Sequence, residues 1–149
     1  MTGTITAAEL AEIVAQTEAA NNAWMCGDAS AYDALNTHEE DFTIMGPFGG
    51  PTSKGYRAWS ERSSNIVKNF KNGACKLRVI QSYASGDILV LVLEEDQHGE
   101  IGGQPDQPWQ LRVTQVYRRE GDTWKVVHRH ADPLSRLRPV QESAALARN

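Results

Sequence analysis

The stretch Ser85-Gly86-Asp87-Ile88-Leu89-Val90-Leu91-Val92-Leu93-Glu94-Glu95 decides how this chain is read. Ser85-Gly86-Asp87 is a turn, and from Ile88 to Leu93 the chain is apolar without a break, as a strand is when both faces are covered. Antiparallel sheets usually leave one face wet, so helices are expected on one side of this strand. A second copy of the chain, or the bend of the sheet itself, is expected on the other, and a homodimer through the sheet is the favoured cover. Just upstream, Cys75, Leu77 and Val79 alternate with Lys76 and Arg78 as a strand does. Downstream, Gln97 to Pro108 holds three glycines and two prolines and reads as a loop of about twelve residues, either a flexible hairpin connection or a lid. Trp109 to Arg119 and Thr123 to Asp132 follow as two strands joined by the tight Glu120-Gly121-Asp122 turn. After Pro133 the polar, alanine-rich residues to Asn149 read as a loose tail.

The first half has helical periodicity. Thr6 and Glu9 form a capping box, and Leu10, Ile13, Val14, Thr17, Ala20 and Trp24 recur at helical spacing, so helix one is expected from Thr6 to Cys26. Gly27 can take the left-handed conformation that ends it, and Asp28 can cap a second helix reaching about Asn36. His38, Glu39 and Glu40 read as a solvated loop. Phe42, Ile44 and Met45 begin a short strand that runs into the turn Gly46-Pro47-Phe48-Gly49-Gly50-Pro51. A third helix, from Gly55 to about Lys71, gathers Trp59, Ile66, Val67 and Phe70 on one face, with Gly73 as its terminator. The expected fold is α+β: three helices on one face of a curved, mostly antiparallel sheet that wraps a pocket. One domain spans residues 1–133 and the tail spans 134–149.

Composition narrows the partners. Of 149 residues, 15 are Lys or Arg and 19 Asp or Glu, a net charge of -4 that gives no electrostatic reason to expect nucleic acid or an anionic membrane. A small molecule or another copy is expected instead. Cys26 and Cys75 lack metal-ligand spacing and are too few for a disulfide scaffold, which fits a reducing, cytoplasmic setting. Met1 to Ile5 carries no basic-then-apolar leader, and the longest apolar run is far short of a membrane span. No P-loop, dinucleotide fingerprint, zinc spacing or serine elbow is present, so neither cofactor nor metal is expected.

Trp24-Met25-Cys26-Gly27-Asp28, the strand Asp41 to Gly46 with Pro47-Phe48-Gly49-Gly50, and Trp124-Lys125-Val126-Val127-His128-Arg129-His130 resemble the nuclear transport factor 2-like superfamily. Within it the chain is similar to SnoaL-like domains and to the association domain of calcium/calmodulin-dependent protein kinase, over residues 6 to 133. The resemblance implies a cone-shaped α+β barrel around a pocket. Its members include isomerases, dehydratases, epoxide hydrolases, polyketide cyclases and domains that only bind or assemble, so fold alone does not choose an activity. The likeness to ketosteroid isomerases puts Gly46 where a catalytic Asp would stand, Ala20 at an oxyanion-hole Tyr and Gln115 near a second, acidic donor. That chemistry is therefore disfavoured.

Candidate chemistry falls to scattered polar residues. Alternation sets Trp124, Val126, His128, His130 and Asp132 against Lys125, Val127, Arg129 and Ala131 on the last strand. Composition favours the histidine side as the inward one, whereas the resemblance implies Val127, Arg129 and Ala131. A histidine suits acid/base work near neutral pH, and an inward guanidinium needs an anion, for which no acid stands out in the sequence. On the preceding strand, Trp109, Leu111, Val113, Gln115 and Tyr117 form the side to bury, so Gln115 and Tyr117 are candidates to hold a developing oxyanion. Asp41 is the carboxylate nearest the first strand. Trp24, Phe42, Phe48, Tyr56, Trp59, Trp109, Val113 and Val127 are candidate pocket walls. Together these suggest a cofactor-independent lyase, cyclase or isomerase acting on a small apolar or aromatic molecule. Arg129 orients the substrate, while His128, His130 or Asp41 moves the proton. The alternative is a noncatalytic ligand-binding or oligomeric association domain.

Overall fold

The computed structural model describes residues 4–148, so Met1 to Gly3 of the N-terminal stretch and Asn149 of the tail lie outside the described residues. Helix α1 (Ala7–Met25) starts at the capping box: the Thr6 hydroxyl accepts from the Glu9 amide and the Glu9 carboxylate from the Thr6 amide. It buries Ile13, Thr17, Ala20, Asn21 and Met25. Gly27, at φ 77°, turns the chain, and a Cβ there would stand 2.7 Å from the Phe70 carbonyl oxygen, which a side chain cannot do. Asp28 then caps α2 (Ala29–Leu35) through the Ala31 amide.

Strand β1 (His38–Met45) begins earlier than expected. His38 and Glu39 are strand residues, not a solvated loop: the His38 ring packs on Phe42, Tyr56 and Tyr32, and Glu39 is 9% exposed. A short β2 (Ser53–Lys54) pairs with β1 before α3 (Tyr56–Ile66). That helix ends in a 3-10 turn, Val67–Asn69, and Phe70 already belongs to β3 (Phe70–Ser85). Gly73 is therefore not a helix stop. It lies in a register shift of β3 where a Cβ would collide with the His98 carbonyl oxygen.

Strands β3, β4 (Ile88–Ile101), β6 (Leu111–Glu120) and β7 (Thr123–Pro133) form an antiparallel run. β1 closes it in parallel against β7, in the order β2-β1-β7-β6-β4-β3. The sheet is curved but not closed on itself. Gln97 to Pro108 is a hairpin connection, but not an irregular one: β4 continues to Ile101, and β5 (Gln104–Pro108) folds back on it as a paired strand. The tail is less loose than expected, since α4 (Val140–Ala147) forms two turns of helix, although none of its residues is buried.

On β4 the two faces separate cleanly. Leu89, Leu91 and Leu93 are 0–2% exposed in the core, where each contributes roughly 2 kcal/mol by burial. Val90 and Val92 face outward and are half-buried, beside Tyr83 and Ile80 at 60% and 52% exposure. The inner face thus has its cover of helices, and the outer face is left open by a single chain.

Candidate functional site

The curve of the sheet and the helices α1, α2 and α3 enclose a cavity of about 50 Å³ with an open mouth. It is small beside the roughly 300–1,000 Å³ of most ligand pockets. Trp24 and Trp59 stack at 6.0 Å, and Phe48 stacks on Trp109 at 6.0 Å at the other end. Tyr32, Ile44, Phe70 and Leu111 complete the apolar wall, with Gly46 and Pro47 beside Phe48. The polar lining includes Asn21, Gln97 and Arg129, with the Tyr32 ring carrying a phenolic hydroxyl.

Arg129 reaches this cavity because of one extra residue in β7. Tyr117 pairs with Val126, but Val116 pairs with His128, so Val127 is a bulge without a partner on β6. The bulge lets Val126, 1% exposed, share the inner face with Arg129 and Ala131. Strict alternation would have put Val126 with His128. Val127 is consequently not part of the cavity wall, and the two histidines lie on the outer face. His128 Nδ1 is 2.8 Å from the Thr43 hydroxyl, and burial lowers its pKa; His130 is 3.5 Å from Asp132.

The guanidinium has an acid after all. Arg129 Nη2 lies 2.7 Å from Glu95 Oε1 and Nη1 lies 2.9 Å from Oε2, an end-on bidentate pair with the Glu95 side chain wholly buried. Burial alone would push the Arg129 pKa down, but the charge and hydrogen bonds of Glu95 hold it above its ordinary value. Asn21 Nδ2 donates to Glu95 Oε2 at 2.7 Å, and Gln97 Nε2 is 3.5 Å from Oε1. Glu95 and Gln97 are inconspicuous in the sequence because the apolar run stops at Leu93. The signal was parity: Leu89, Leu91 and Leu93 point inward, and the same alternation carries on to Glu95 and Gln97.

Gln115 and Tyr117 form a directed chain behind the arginine. Arg129 Nη1 donates to Gln115 Oε1 at 2.9 Å, and Gln115 Nε2 donates to the Tyr117 hydroxyl at 2.7 Å. The Thr17 hydroxyl gives its only proton to the Ile13 carbonyl, so across their 2.5 Å contact it must accept from Tyr117. The phenolic proton of Tyr117 is thus engaged inside the core, and burial pushes its pKa up to about 12. Neither residue is among those that line the cavity.

Of the other candidates, Trp24, Phe48, Trp59 and Trp109 line the cavity. Phe42 and Val113 lie in the core outside that lining, and Tyr56 is stacked on His38. Asp41 is on the surface, held by Arg118 at 2.8 and 3.3 Å, and that hydrogen bonding lowers its pKa. Among the described residues no three His, Cys, Asp or Glu side chains gather in a metal-ligating group, and no helix is long and apolar enough to cross a membrane.

A curved, open sheet with three helices packed on its inner face around an aromatic cavity is the nuclear transport factor 2-like architecture. A protein of that family from Streptomyces avermitilis, described as a candidate dehydratase, superposes with TM-score 0.71 at 18% identity, covering 87% of this chain and 99% of that one. A Pseudomonas putida member of unknown function gives 0.67 at 24% identity over 92% and 100%. The association domain of C. elegans calcium/calmodulin-dependent protein kinase type II gives 0.62 at 16% identity over 84% and 95%. Residues 13–134 match the SnoaL-like domain, and the chain belongs to that family. No curated protein matches it.

Proposed function

We propose that this SnoaL-like domain holds a small, largely apolar or aromatic molecule in its conical cavity, with Arg129 gripping an oxygen of that molecule. One observation carries the reading. A guanidinium has five N–H donors, and hydrogen bonds to Glu95 and Gln115 use three of them. Among the described residues nothing accepts from the remaining two, Nε–H and one Nη2–H, on a side chain that lines an aromatic cavity. Donors of that kind wait for an acceptor from outside. A thermal-shift screen of single-ring ketones, amides and acids tests the reading. Compounds that raise the melting midpoint of the wild type should lose their effect when Trp59→Ala opens the stack. A screen without a single stabilising compound argues against it.

Turnover by a cofactor-independent lyase, cyclase or isomerase route is the second reading, favoured by the likeness to a candidate dehydratase. Arg129 would polarise a carbonyl in such a reaction. Tyr32 and Arg129 are the titratable side chains of the lining, and burial raises the Tyr32 pKa, so its phenol is a donor and not a base near neutral pH. This shortage of a proton carrier is why binding leads. The half-covered outer face around Val90, Val92 and Tyr83, together with the likeness to an association domain, supports a homodimer through the sheet. Tyr83→Glu should then convert the dimer to monomer in a light-scattering measurement.

A further inference from the structure

We infer that the molecule taken by this cavity is uncharged and offers a carbonyl-type oxygen, as a ketone, amide or lactone does, and is not a carboxylate or an amine. The inference rests on the binding reading above and sharpens it. Arg129 would by itself recruit an anion, but the wholly buried Glu95 carboxylate already meets it end-on at 2.7 and 2.9 Å. The pair has no net charge. The other polar side chains of the lining are the Asn21 and Gln97 amides and the Tyr32 phenol, all uncharged near neutral pH, and both amides direct N–H groups at Glu95.

The charge ledger of the site decides the class. A ligand carboxylate on the open edge of Arg129 would leave two anions sharing one guanidinium in an aromatic, low-dielectric enclosure. Burying that excess charge costs more than the two hydrogen bonds return. An ammonium ligand would find no free counter-charge, because the Glu95 carboxylate is already held end-on by Arg129. A neutral carbonyl oxygen accepts from Nε–H and Nη2–H together and adds no charge to bury. Its apolar body meets Trp24, Trp59, Phe48 and Trp109, and the cavity limits that body to about a single ring.

Benzamide, benzoate and benzylamine share one ring and differ in charge, so calorimetric titration of the full chain with the three at neutral pH separates the possibilities. Benzamide should bind about tenfold more tightly than benzoate, since burial of an unpaired charge is costly, and benzylamine should not bind. In Glu95→Gln the guanidinium loses its counter-charge, and the order of benzamide and benzoate should reverse. Benzoate binding to the wild type as tightly as benzamide would overturn the inference and leave the cavity reading intact. Failure of all three, with acetophenone as a fourth probe, would overturn the cavity reading and the inference with it. The wild-type comparison decides the matter even if the variant does not fold.

Discussion

Arg129 on β7 and Glu95 on β4 meet end-on through two hydrogen bonds across β6, the strand that separates theirs in the sheet. The contact joins non-adjacent strands through the core, where each charge is tolerable only because of the other. Removing one partner by Glu95→Leu or Arg129→Met should cost about 3–5 kcal/mol, whereas the two substitutions together should cost far less than the single losses added together. Urea unfolding of the four proteins in the cycle measures this. Additive losses would show that the two charges do not stabilise each other.

Tyr117→Phe removes the middle of the chain from Arg129 to the Ile13 carbonyl. The Gln115 amide then loses its acceptor inside the core, which should cost about 1–3 kcal/mol. Tyr117→Phe combined with Gln115→Leu should recover part of the loss, because no stranded donor remains. Denaturation midpoints that do not change in the single variant would sink the chain as a stabilising element.

His38 is held neutral. Burial first, and the charge of Arg129 second, push its pKa from 6.5 down to about 4. The unfolded chain takes up a proton as pH falls through 6.5, and the folded chain does not until about 4. Folding stability is therefore unaffected by this group above that window and declines as pH drops through it, by roughly 3 kcal/mol in total. His38→Phe should flatten the decline in urea midpoints between pH 7 and 4.5. An unchanged pH profile would count against the assignment.

Gly73→Ala should destabilise by about 3 kcal/mol or prevent folding, since its Cβ would collide with the His98 carbonyl and with the Met25 side chain. Gly103→Ala is a useful comparison: there the space is open and only the positive φ of 78° is strained. Thermal midpoints should rank the two in that order, and an equal effect would mean that strand spacing at Gly73 relaxes freely.

Most of the fold is legible in the sequence, because helix caps and hydrophobic periods are local. Thr6, Glu9, Gly27 and Asp28 act where their chemistry says they should. The errors lie where pairing decides. Gln97 to Pro108 looks like a loop by its glycines and prolines, but an edge hairpin tolerates both, since its outer backbone groups need no partner. His38 looks polar and solvated, yet its neighbours in space are the Phe42 ring of its own strand and the Tyr32 and Tyr56 rings of two helices. The cavity was half legible: its tryptophans and Arg129 are conspicuous residue types, while Glu95 gains its meaning only when the inward parity of β4 is followed past the last leucine.

The extra residue at Val127 has an evolutionary reading. Deleting that one codon would only remove the bulge and leave Val126, Arg129 and Ala131 on the inner face. Keeping the residue and pairing β7 without the bulge would instead restore strict alternation from Val126 onward, and His128 and His130 would come indoors as Arg129 and Ala131 went out. A neighbouring lineage could thus swap a fixed cation for a pair of titratable imidazoles, and a holding cavity for a proton-moving one, through a one-residue slip in pairing with no substitution at any cavity residue. Relatives of the same length between Trp124 and His128 whose last strand pairs without a bulge are where such a change of chemistry should be sought.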